Sequence, residues 1–309
     1  MENNFFPITY CPVCGDKSAK KLWVKNSFDI FRCQSCGALF VPDRNINLKS
    51  LYSKDYFTGA VRGFGYADYD RDKEAMRGTF EIYLAKIEKA LPRDLPRRLL
   101  DVGAANGMFL AVAKKRNWEV WGVEVSDFAA TEGRKRGFDI KTGTIIEAKF
   151  PDAFFSVVTL WDVLEHIQDP HATLQEIARI TKETGLIAVN TPDTQSLFAK
   201  LMGKHWHLAI PPEHLILYNA KNAGRMLKKY GYATVAHAHI GKSFTLEYIL
   251  QTLSNQQKFF LWRFLLWLVT RLRIRKLVIP VNVRDNFFLI AIKKAIGTER
   301  ACLPAGRLP

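Results

Sequence analysis

The sequence predicts a mixed α/β fold: a mostly parallel sheet with helices between its strands, and a small cysteine-rich module at the N-terminus. Three observations support this prediction. From Arg97 onward, strand-like and helical segments alternate, which is typical of βαβ units. A glycine-rich turn interrupts the apolar segment "LLDVGAANGMFL", residues 99–110. Two close pairs of cysteines lie near the N-terminus, in a segment too short to bury a core without a staple.

Each predicted strand is a run of apolar residues with polar or turn residues at its ends. These patterns predict strands of the sheet at 98–103, 119–125, 139–143, 155–163 and 185–191. A helix is predicted over 220–230, and two later strands, expected to pair antiparallel, at 233–240 and 287–292. The segment between those two strands, residues 242–284, is too long for a hairpin loop and is expected to have a structure of its own.

Composition and motifs divide the chain into five regions. The predicted regions are a ribbon at 1–50, a linker with a covering helix at 51–95, the main α/β domain at 96–241, a basic and apolar insertion with the final strand at 242–296, and a disordered tail at 297–309. With 309 residues, 48% of them hydrophobic, the chain can bury one large core.

The charge of the chain is strongly basic, with 45 Lys and Arg against 30 Asp and Glu and a net charge of +15. Such a balance makes polyanions or an anionic membrane surface candidate partners, and a basic, solvated surface is the alternative. The N-terminal sequence has neither the basic start nor the apolar core of a signal peptide, so a cytoplasmic location is expected.

The glycine-rich turn excludes two kinds of phosphate site. A P-loop ends in Gly-Lys-Ser/Thr, whereas this turn ends in Gly107-Met108-Phe109. The dinucleotide fingerprint needs glycine where this chain has Ala105 and Met108. Two carboxylates remain: Asp101 before the turn, and Glu124 at the end of the next strand, where a carboxylate binds ribose hydroxyls. A ligand with a ribose, a cationic amine and no phosphate is S-adenosylmethionine.

The segments "LLDVGAANGMFL", "VWGVEVS" and "FSVVTLWDVLEHIQDPHATLQEIARITKETGLIAVNTPD" resemble the core of the class I S-adenosylmethionine-dependent methyltransferases, with a Rossmann-like sheet over about residues 97–240. The resemblance implies that Gly103, Ala105 and Gly107 line the methionine moiety, that Asp101 meets its amino group and that Glu124 holds the ribose. It further implies that the loop at Thr144 caps the adenine, and that the strand end at Trp161 and Asp162 closes the cofactor pocket. Ala105 stands where many members have glycine.

The paired cysteines occur as "CPVCG" and "CQSCG". Two Cys-x-x-Cys pairs at this separation predict a tetrahedral site of four thiolates, Cys11, Cys14, Cys33 and Cys36. A site filled by four thiolates has no open position for water, so we expect a structural zinc rather than a catalytic one. Iron in the same ligand set is the alternative.

A zinc ribbon ahead of this fold resembles the sugar C-methyltransferases that act on nucleotide-linked deoxysugars. The segments "YSKDYF" and "PPEHLILYNAKNAGRMLKKYGY" are also similar to that group. The resemblance implies a small-molecule or sugar-linked acceptor, nucleotide-bound or lipid-linked, in glycan or secondary-metabolite biosynthesis. It also points to Glu213 and His214, because a histidine beside a carboxylate suits a general base near neutral pH. A purely structural His214 is the alternative.

Two other functions are weighed against methyl transfer to a small molecule. An RNA or nucleobase methyltransferase would fit the ribbon and the basic charge, but enzymes of exocyclic amines typically have Asn/Asp-Pro-Pro-aromatic where this chain reads "LWDVLEH". Nucleic acid is therefore not expected as a partner. A noncatalytic binding module is disfavoured by the intact Asp101, Gly103, Gly107 and Glu124.

Residues 259–276, "FFLWRFLLWLVTRLRIRK", combine an apolar run with four basic residues at its end. The run is shorter than the ~20 residues that span a bilayer. This pattern predicts either an interfacial helix on an anionic membrane or a hydrophobic helix packed within the protein.

Overall fold

The computed structural model describes residues 10–58, 74–257 and 260–295. The chain divides into two compact units, each discontinuous in sequence. The first unit comprises 1–46, 150–239 and 284–309, and the second comprises 47–149 and 240–283. The predicted disordered tail, 297–309, lies outside the described residues.

The strands are β1 (Ala19–Lys25), β2 (Phe28–Cys33), β3 (Leu39–Phe40), β4 (Arg98–Val102), β5 (Glu119–Glu124), β6 (Asp139–Thr142), β7 (Phe155–Trp161), β8 (Thr181–Pro192), β9 (Ile216–Leu217), β10 (Tyr232–Ala238), β11 (Lys242–Thr245), β12 (Val278–Val281) and β13 (Asn286–Lys293). The helices are α1 (Leu48–Leu51), α2 (Lys54–Thr58), α3 (Arg77–Ala90), α4 (Met108–Lys115), α5 (Asp127–Lys135), α6 (Pro170–Ile180), α7 (Leu197–Met202), α8 (Ala220–Lys229), α9 (Leu246–Gln257) and α10 (Phe260–Arg271). Short 3₁₀ turns follow β7 at Leu164–His166 and α7 at Gly203–His205.

The second unit contains three parallel strands in the order β4-β5-β6. Two leucines of β4, Leu99 and Leu100, are completely buried. Helix α4 follows β4 and helix α5 follows β5, as the βαβ pattern predicts. The carboxyl ends of β4 and β5 therefore lie side by side, which is where ligands bind in open α/β sheets.

The first unit contains the strands β10-β13-β8-β7 in that order. β7 and β8 are parallel, and every residue of β7 is buried, as expected for a strand covered on both faces. β13 pairs antiparallel with both β8 and β10, which confirms the antiparallel pairing predicted from the sequence. With parallel pairs in both units, the fold is mixed α/β and Rossmann-like, as predicted.

The ribbon strands belong to a second sheet of the first unit, in the order β1-β2-β3-β9. Its last strand, β9, comes from the main domain: Leu39 pairs with Leu217 and Phe40 with Ile216. The ribbon is thus continuous with the segment that directly follows His214.

The insertion after β10 has a structure of its own, as its length predicts. In the second unit, β11 and β12 pair antiparallel, and the helices α9 and α10 lie between them in sequence. Among the described residues, no helix is long and apolar enough to cross a membrane.

Candidate active site and metal centre

The glycine-rich turn of the second unit is tightly bent. Gly103, Ala105 and Gly107 all have left-handed φ angles, of +73°, +46° and +84°. A Cβ atom at Gly107 would lie 2.5 Å from the ring of Phe138, so no other residue fits there without displacing that ring. Ala105 adopts the left-handed conformation that glycine favours. The turn is therefore intact although many related proteins have glycine at this position.

Glu124 joins the end of β5 to this turn. Its side chain is 6% exposed, and its Oε2 accepts a hydrogen bond from the amide of Ala105 at 2.9 Å. Its Oε1 accepts a bond from the amide of Ser126 at 2.8 Å. Burial raises the pKa of the carboxyl, and the backbone amides oppose that shift. Each carboxylate oxygen has a second lone pair, so Glu124 can hold the turn and still accept ribose hydroxyls.

The two other predicted ligand positions of this unit differ in burial. Asp101 is 3% exposed within β4, two residues before the turn, where a carboxylate suits an ammonium group. Thr144 is half-buried in the loop after β6, and both its amide and its hydroxyl donate to Glu147, at 2.7 and 2.8 Å. Glu147 thereby fixes the loop that was predicted to cap the adenine.

An aromatic cluster covers the glycine-rich turn. Tyr56 and Phe57 of α2 pack with Ala105 and Ala129, and Tyr52 and Phe128 pack against them. The rings of Tyr52 and Tyr56, four residues apart in the sequence, meet edge to face at 5.1 Å. In the sequence, the signal for this cluster is the aromatic spacing of "YSKDYF".

In the first unit, the end of β7 has an unusual backbone. Asp162 has a φ of +55°, and its Oδ1 accepts a hydrogen bond from the Asn190 amide at 2.7 Å. Trp161 is buried and stacks on Phe288 at 5.9 Å. These contacts are consistent with a core role for the Trp161 ring, whereas Asp162 ends the strand.

Glu213 and His214 follow the Pro211-Pro212 pair, whose peptide bond is cis. Nδ1 of His214 lies 2.5 Å from the carbonyl oxygen of Leu208. Since a carbonyl only accepts hydrogen bonds, Nδ1 carries the proton, and Nε2 of the neutral ring is the basic nitrogen. A structural role of His214 predicts a hydrogen bond to its loop, and this bond is present. The same bond places the proton on Nδ1, so that the basic lone pair lies on Nε2, as a general base requires.

The structure adds Glu165 and His166 to this pair. The rings of His166 and His214 meet edge to face at 4.7 Å, and Nδ1 of His166 donates to the carbonyl of Glu213 at 2.7 Å. Burial lowers the pKa of His166, while the carboxylates of Glu213 and Asp162 oppose the shift. Oε2 of Glu165 accepts a bond from the Thr191 hydroxyl at 2.7 Å. The only sequence signal for these residues was "VLEH" after β7.

Ligand atoms of Glu165, His166 and His214 all lie within 4.8 Å of one another. Such a group can relay protons or bind a cation, because it combines two imidazoles with a carboxylate. The roles predicted for Glu213 and His214 stay predictions.

The four cysteine sulfurs of the first unit also lie within 4.8 Å of one another. Sγ atoms of Cys11 and Cys36 are 3.6 Å apart, as are those of Cys14 and Cys33. A tetrahedron with Zn–S bonds of ~2.3 Å has edges of about 3.8 Å, so the sulfurs fit a single zinc or iron ion. A glycine with positive φ, Gly15 or Gly37, follows the second cysteine of each pair.

The cysteine cluster is anchored to helix α8. The side-chain amides of Asn219 and Asn222, which form the capping box of α8, both donate to the carbonyl of Cys36, at 3.3 and 3.2 Å. The ribbon also holds the loop before Glu213: Lys25 donates to the Trp206 carbonyl and Asn26 to the Pro211 carbonyl, both at 2.8 Å.

Comparison with known proteins gives one family match and several partial relatives. A family model described as a methyltransferase domain matches residues 74–237. The chain is 28% identical over 107 residues to the ajmaline N-methyltransferase of Rauvolfia serpentina, covering 32% of this chain and 37% of the relative. It is 27% identical over 126 residues to a ubiquinone biosynthesis O-methyltransferase of Alkalilimnicola ehrlichii, covering 38% and 51%. The chain thus spans between about a third and a half of these curated relatives.

Solved structures are similar over a larger part of the chain. A SAM-dependent methyltransferase from Archaeoglobus fulgidus is 19% identical and covers 72% of this chain and 97% of its own, with a TM-score of 0.48. The YcgJ protein of Bacillus subtilis is 17% identical and covers 69% and 98%, with a TM-score of 0.48.

Proposed function

Because the chain belongs to the methyltransferase-domain family, whose model matches more than half of it, we propose that it transfers a methyl group from S-adenosylmethionine to a small-molecule or sugar-linked acceptor. The observation that most directly supports the cofactor is Glu124, a buried carboxylate that fixes the glycine-rich turn and retains lone pairs for ribose hydroxyls. When bound, S-adenosylmethionine supplies an electrophilic sulfonium methyl.

In this proposal, the residues around the turn bind and orient the cofactor. Gly103, Ala105 and Gly107 let the backbone approach the methionine moiety, and the buried carboxylate of Asp101 receives its ammonium group. The loop at Thr144 covers the adenine, whereas the role predicted for Trp161 and Asp162 stays a prediction. The aromatic cluster over Ala105 excludes water from the turn.

The acceptor class rests on the resemblance to the sugar C-methyltransferases and on the family. The curated relatives named above are N- and O-methyltransferases, so the family does not fix the methylated atom. A nucleotide-linked or lipid-linked sugar would suit the proton chemistry of Glu213 and His214, because methylation at a carbon or a hydroxyl requires removal of a proton. The acceptor class is tested by incubating the chain with methyl-labelled S-adenosylmethionine and, in separate reactions, nucleotide-linked deoxysugars or tRNA. The measurement is which acceptor becomes labelled, and we expect the deoxysugars.

Proton removal is assigned to His214, with Glu213 as the second candidate base. Nε2 of His214 accepts the proton of the acceptor, while the Leu208 carbonyl keeps the Nδ1 proton in place. His166, beside it, is oriented in the same way by the Glu213 carbonyl. Each ring is held in one orientation by its hydrogen bond, so it loses less entropy in the reaction than a freely rotating side chain would.

The four cysteines are proposed to hold a structural zinc. The metal would supply no chemistry at the acceptor, since four thiolates fill a tetrahedral site. Its contribution is to keep the ribbon folded, and through Lys25 and Asn26 the ribbon holds the loop that leads to Glu213.

Replacing Glu124 with alanine is expected to weaken cofactor binding by roughly 1 to 3 kcal/mol, the usual cost of losing hydrogen bonds to a charged acceptor. Isothermal titration calorimetry of the purified chain with S-adenosylmethionine measures this. Glu124→Gln keeps one acceptor oxygen and should fall between the alanine variant and the wild type.

Glu119→Ala is the matched control, because Glu119 begins the same strand with an exposed side chain. It should bind the cofactor like the wild type. Unchanged affinity in Glu124→Ala would refute the ribose assignment, and no cofactor binding by the wild type would refute the proposed activity.

A further inference from the structure

Helix α10 of the second unit exposes its apolar side chains. Phe260, Phe264 and Trp267 follow one another at spacings of four and three residues, so they lie on one face of the helix. Their exposed fractions are 81%, 52% and 58%. The rings of Phe264 and Trp267 stack at 5.9 Å. A helix on the surface of a globular protein normally presents polar side chains outward, and this face does the opposite.

The opposite face of α10 already packs within the protein. Val269, half a turn away from this exposed stripe, is 7% exposed, and Trp262, Leu265 and Leu266 are half-buried. The exposed stripe is therefore separate from the apolar face of α10 that packs within the protein. Exposed aliphatic side chains extend the apolar surface past the helix end, at Leu272, Ile274, Leu277 and Val278.

Four cations lie at the C-terminal end of α10 and directly after it. Arg271 lies on the same face as Trp267, one turn further along, and Arg273, Arg275 and Lys276 follow it. All four are exposed, and none forms an ion pair with an acidic side chain in the described part of the chain. Residues 260–283 contain no Asp or Glu, so this segment of the sequence carries positive charge only.

From this arrangement we infer that the surface of residues 260–278 binds an anionic phospholipid membrane. The stripe of Phe260, Phe264 and Trp267 enters the interface between headgroups and acyl chains, and the cations at 271–276 contact lipid phosphates. At 1.5 Å per residue, the twelve residues of α10 reach about 18 Å, well short of the ~30 Å hydrocarbon core. The helix therefore lies on the membrane and does not cross it.

Two other occupants fit the surface less well. A second copy on a two-fold axis would bring the same cations of both chains together, because the same patch is used twice. Like charges without intervening acids oppose such a contact. A nucleic acid would use the aromatic rings for base stacking, but Leu272, Ile274, Leu277 and Val278 offer no ring for that purpose. On an anionic membrane, the aliphatic side chains contact the acyl chains and the neighbouring arginines contact the lipid phosphates.

Vesicle sedimentation with the full chain tests the inference. We expect the chain to sediment with vesicles of phosphatidylcholine and phosphatidylglycerol at low salt, less at high salt, and little with phosphatidylcholine alone. Neutralising two cations near an anionic surface, in Arg273→Gln/Arg275→Gln, should lower the vesicle affinity about 30-fold. Phe264→Ser/Trp267→Ser should lower it at both salt concentrations, since it removes inserted apolar area.

Matched variants elsewhere separate this surface from general charge and hydrophobicity. Lys221→Gln/Arg225→Gln removes two exposed cations of α8, and Leu197→Ser/Leu201→Ser removes two exposed leucines of α7. Both should sediment like the wild type. The inference is overturned if the wild type ignores anionic vesicles, if the control pairs lose as much affinity, or if Phe264→Ser/Trp267→Ser converts a dimer to a monomer without changing sedimentation. Tighter binding to RNA than to vesicles would also overturn it.

Discussion

Purified wild-type protein is expected to contain one equivalent of zinc or iron, and Cys33→Ser is expected to contain almost none. Cys33 is completely buried, and its Sγ lies 3.6 Å from that of Cys14. A serine hydroxyl is a poor substitute for a thiolate on these metals. Structural zinc stabilises small domains by ~10 kcal/mol or more, so we expect the variant to lose several kcal/mol of unfolding free energy. Elemental analysis and thermal denaturation measure the two effects.

The fifth cysteine supplies the control. Cys302 lies outside the described residues and outside both Cys-x-x-Cys pairs, so Cys302→Ser should keep the full metal content and stability of the wild type. Well under one equivalent of metal in the wild-type protein would contradict the proposed ribbon. Full metal content in Cys33→Ser would remove that residue from the ligand set.

Loss of the metal should also reach the loop that contains His214. The ribbon holds that loop at three points: Lys25 to the Trp206 carbonyl, Asn26 to the Pro211 carbonyl, and the Val41 amide to the Leu215 carbonyl at 2.9 Å. When the ribbon unfolds, all three bonds are lost together. Methyl transfer should therefore fall in Cys33→Ser although no cysteine touches the acceptor in the proposed mechanism.

Local patterns predicted most of the fold. The predicted strand at 119–125 is observed as Glu119–Glu124, and the helix at 220–230 as Ala220–Lys229. The strand predicted at 185–191 begins earlier in the structure, at Thr181. The prediction began too late because Lys182, Glu183 and Thr184 are half-buried and polar and show no strand pattern. The two-residue strand β9 exists only through its pairing with β3, far away in sequence, so no local pattern could reveal it.

The same distinction applies to the candidate site. The cysteine cluster was predictable because each knuckle is a local turn whose glycine follows at a fixed position. From the sequence, His166 after β7 was either a residue near the cofactor or a structural one, and no pattern joined it or Glu165 to Glu213 and His214. Their partners are distant: His166 bonds the carbonyl of Glu213, 47 positions away. The hold of Glu124 on Ala105 spans 19 positions and likewise depends on the parallel pairing of β4 and β5.

Replacing His214 should reduce methyl transfer by roughly 100- to 10,000-fold with cofactor affinity unchanged, the usual contribution of a general base. His214→Ala alone would be ambiguous, since it also removes the hydrogen bond to Leu208. His214→Asn is sharper: its side-chain amide stands in for Nδ1 and can still donate to the Leu208 carbonyl, whereas the basic Nε2 is gone. A base at Nε2 predicts that His214→Asn folds with wild-type stability, binds S-adenosylmethionine normally and is as inactive as His214→Ala. If His214→Asn instead turns over at near the wild-type rate while His214→Ala is unstable, His214 only holds the loop, and the proton must pass to Glu213 or His166.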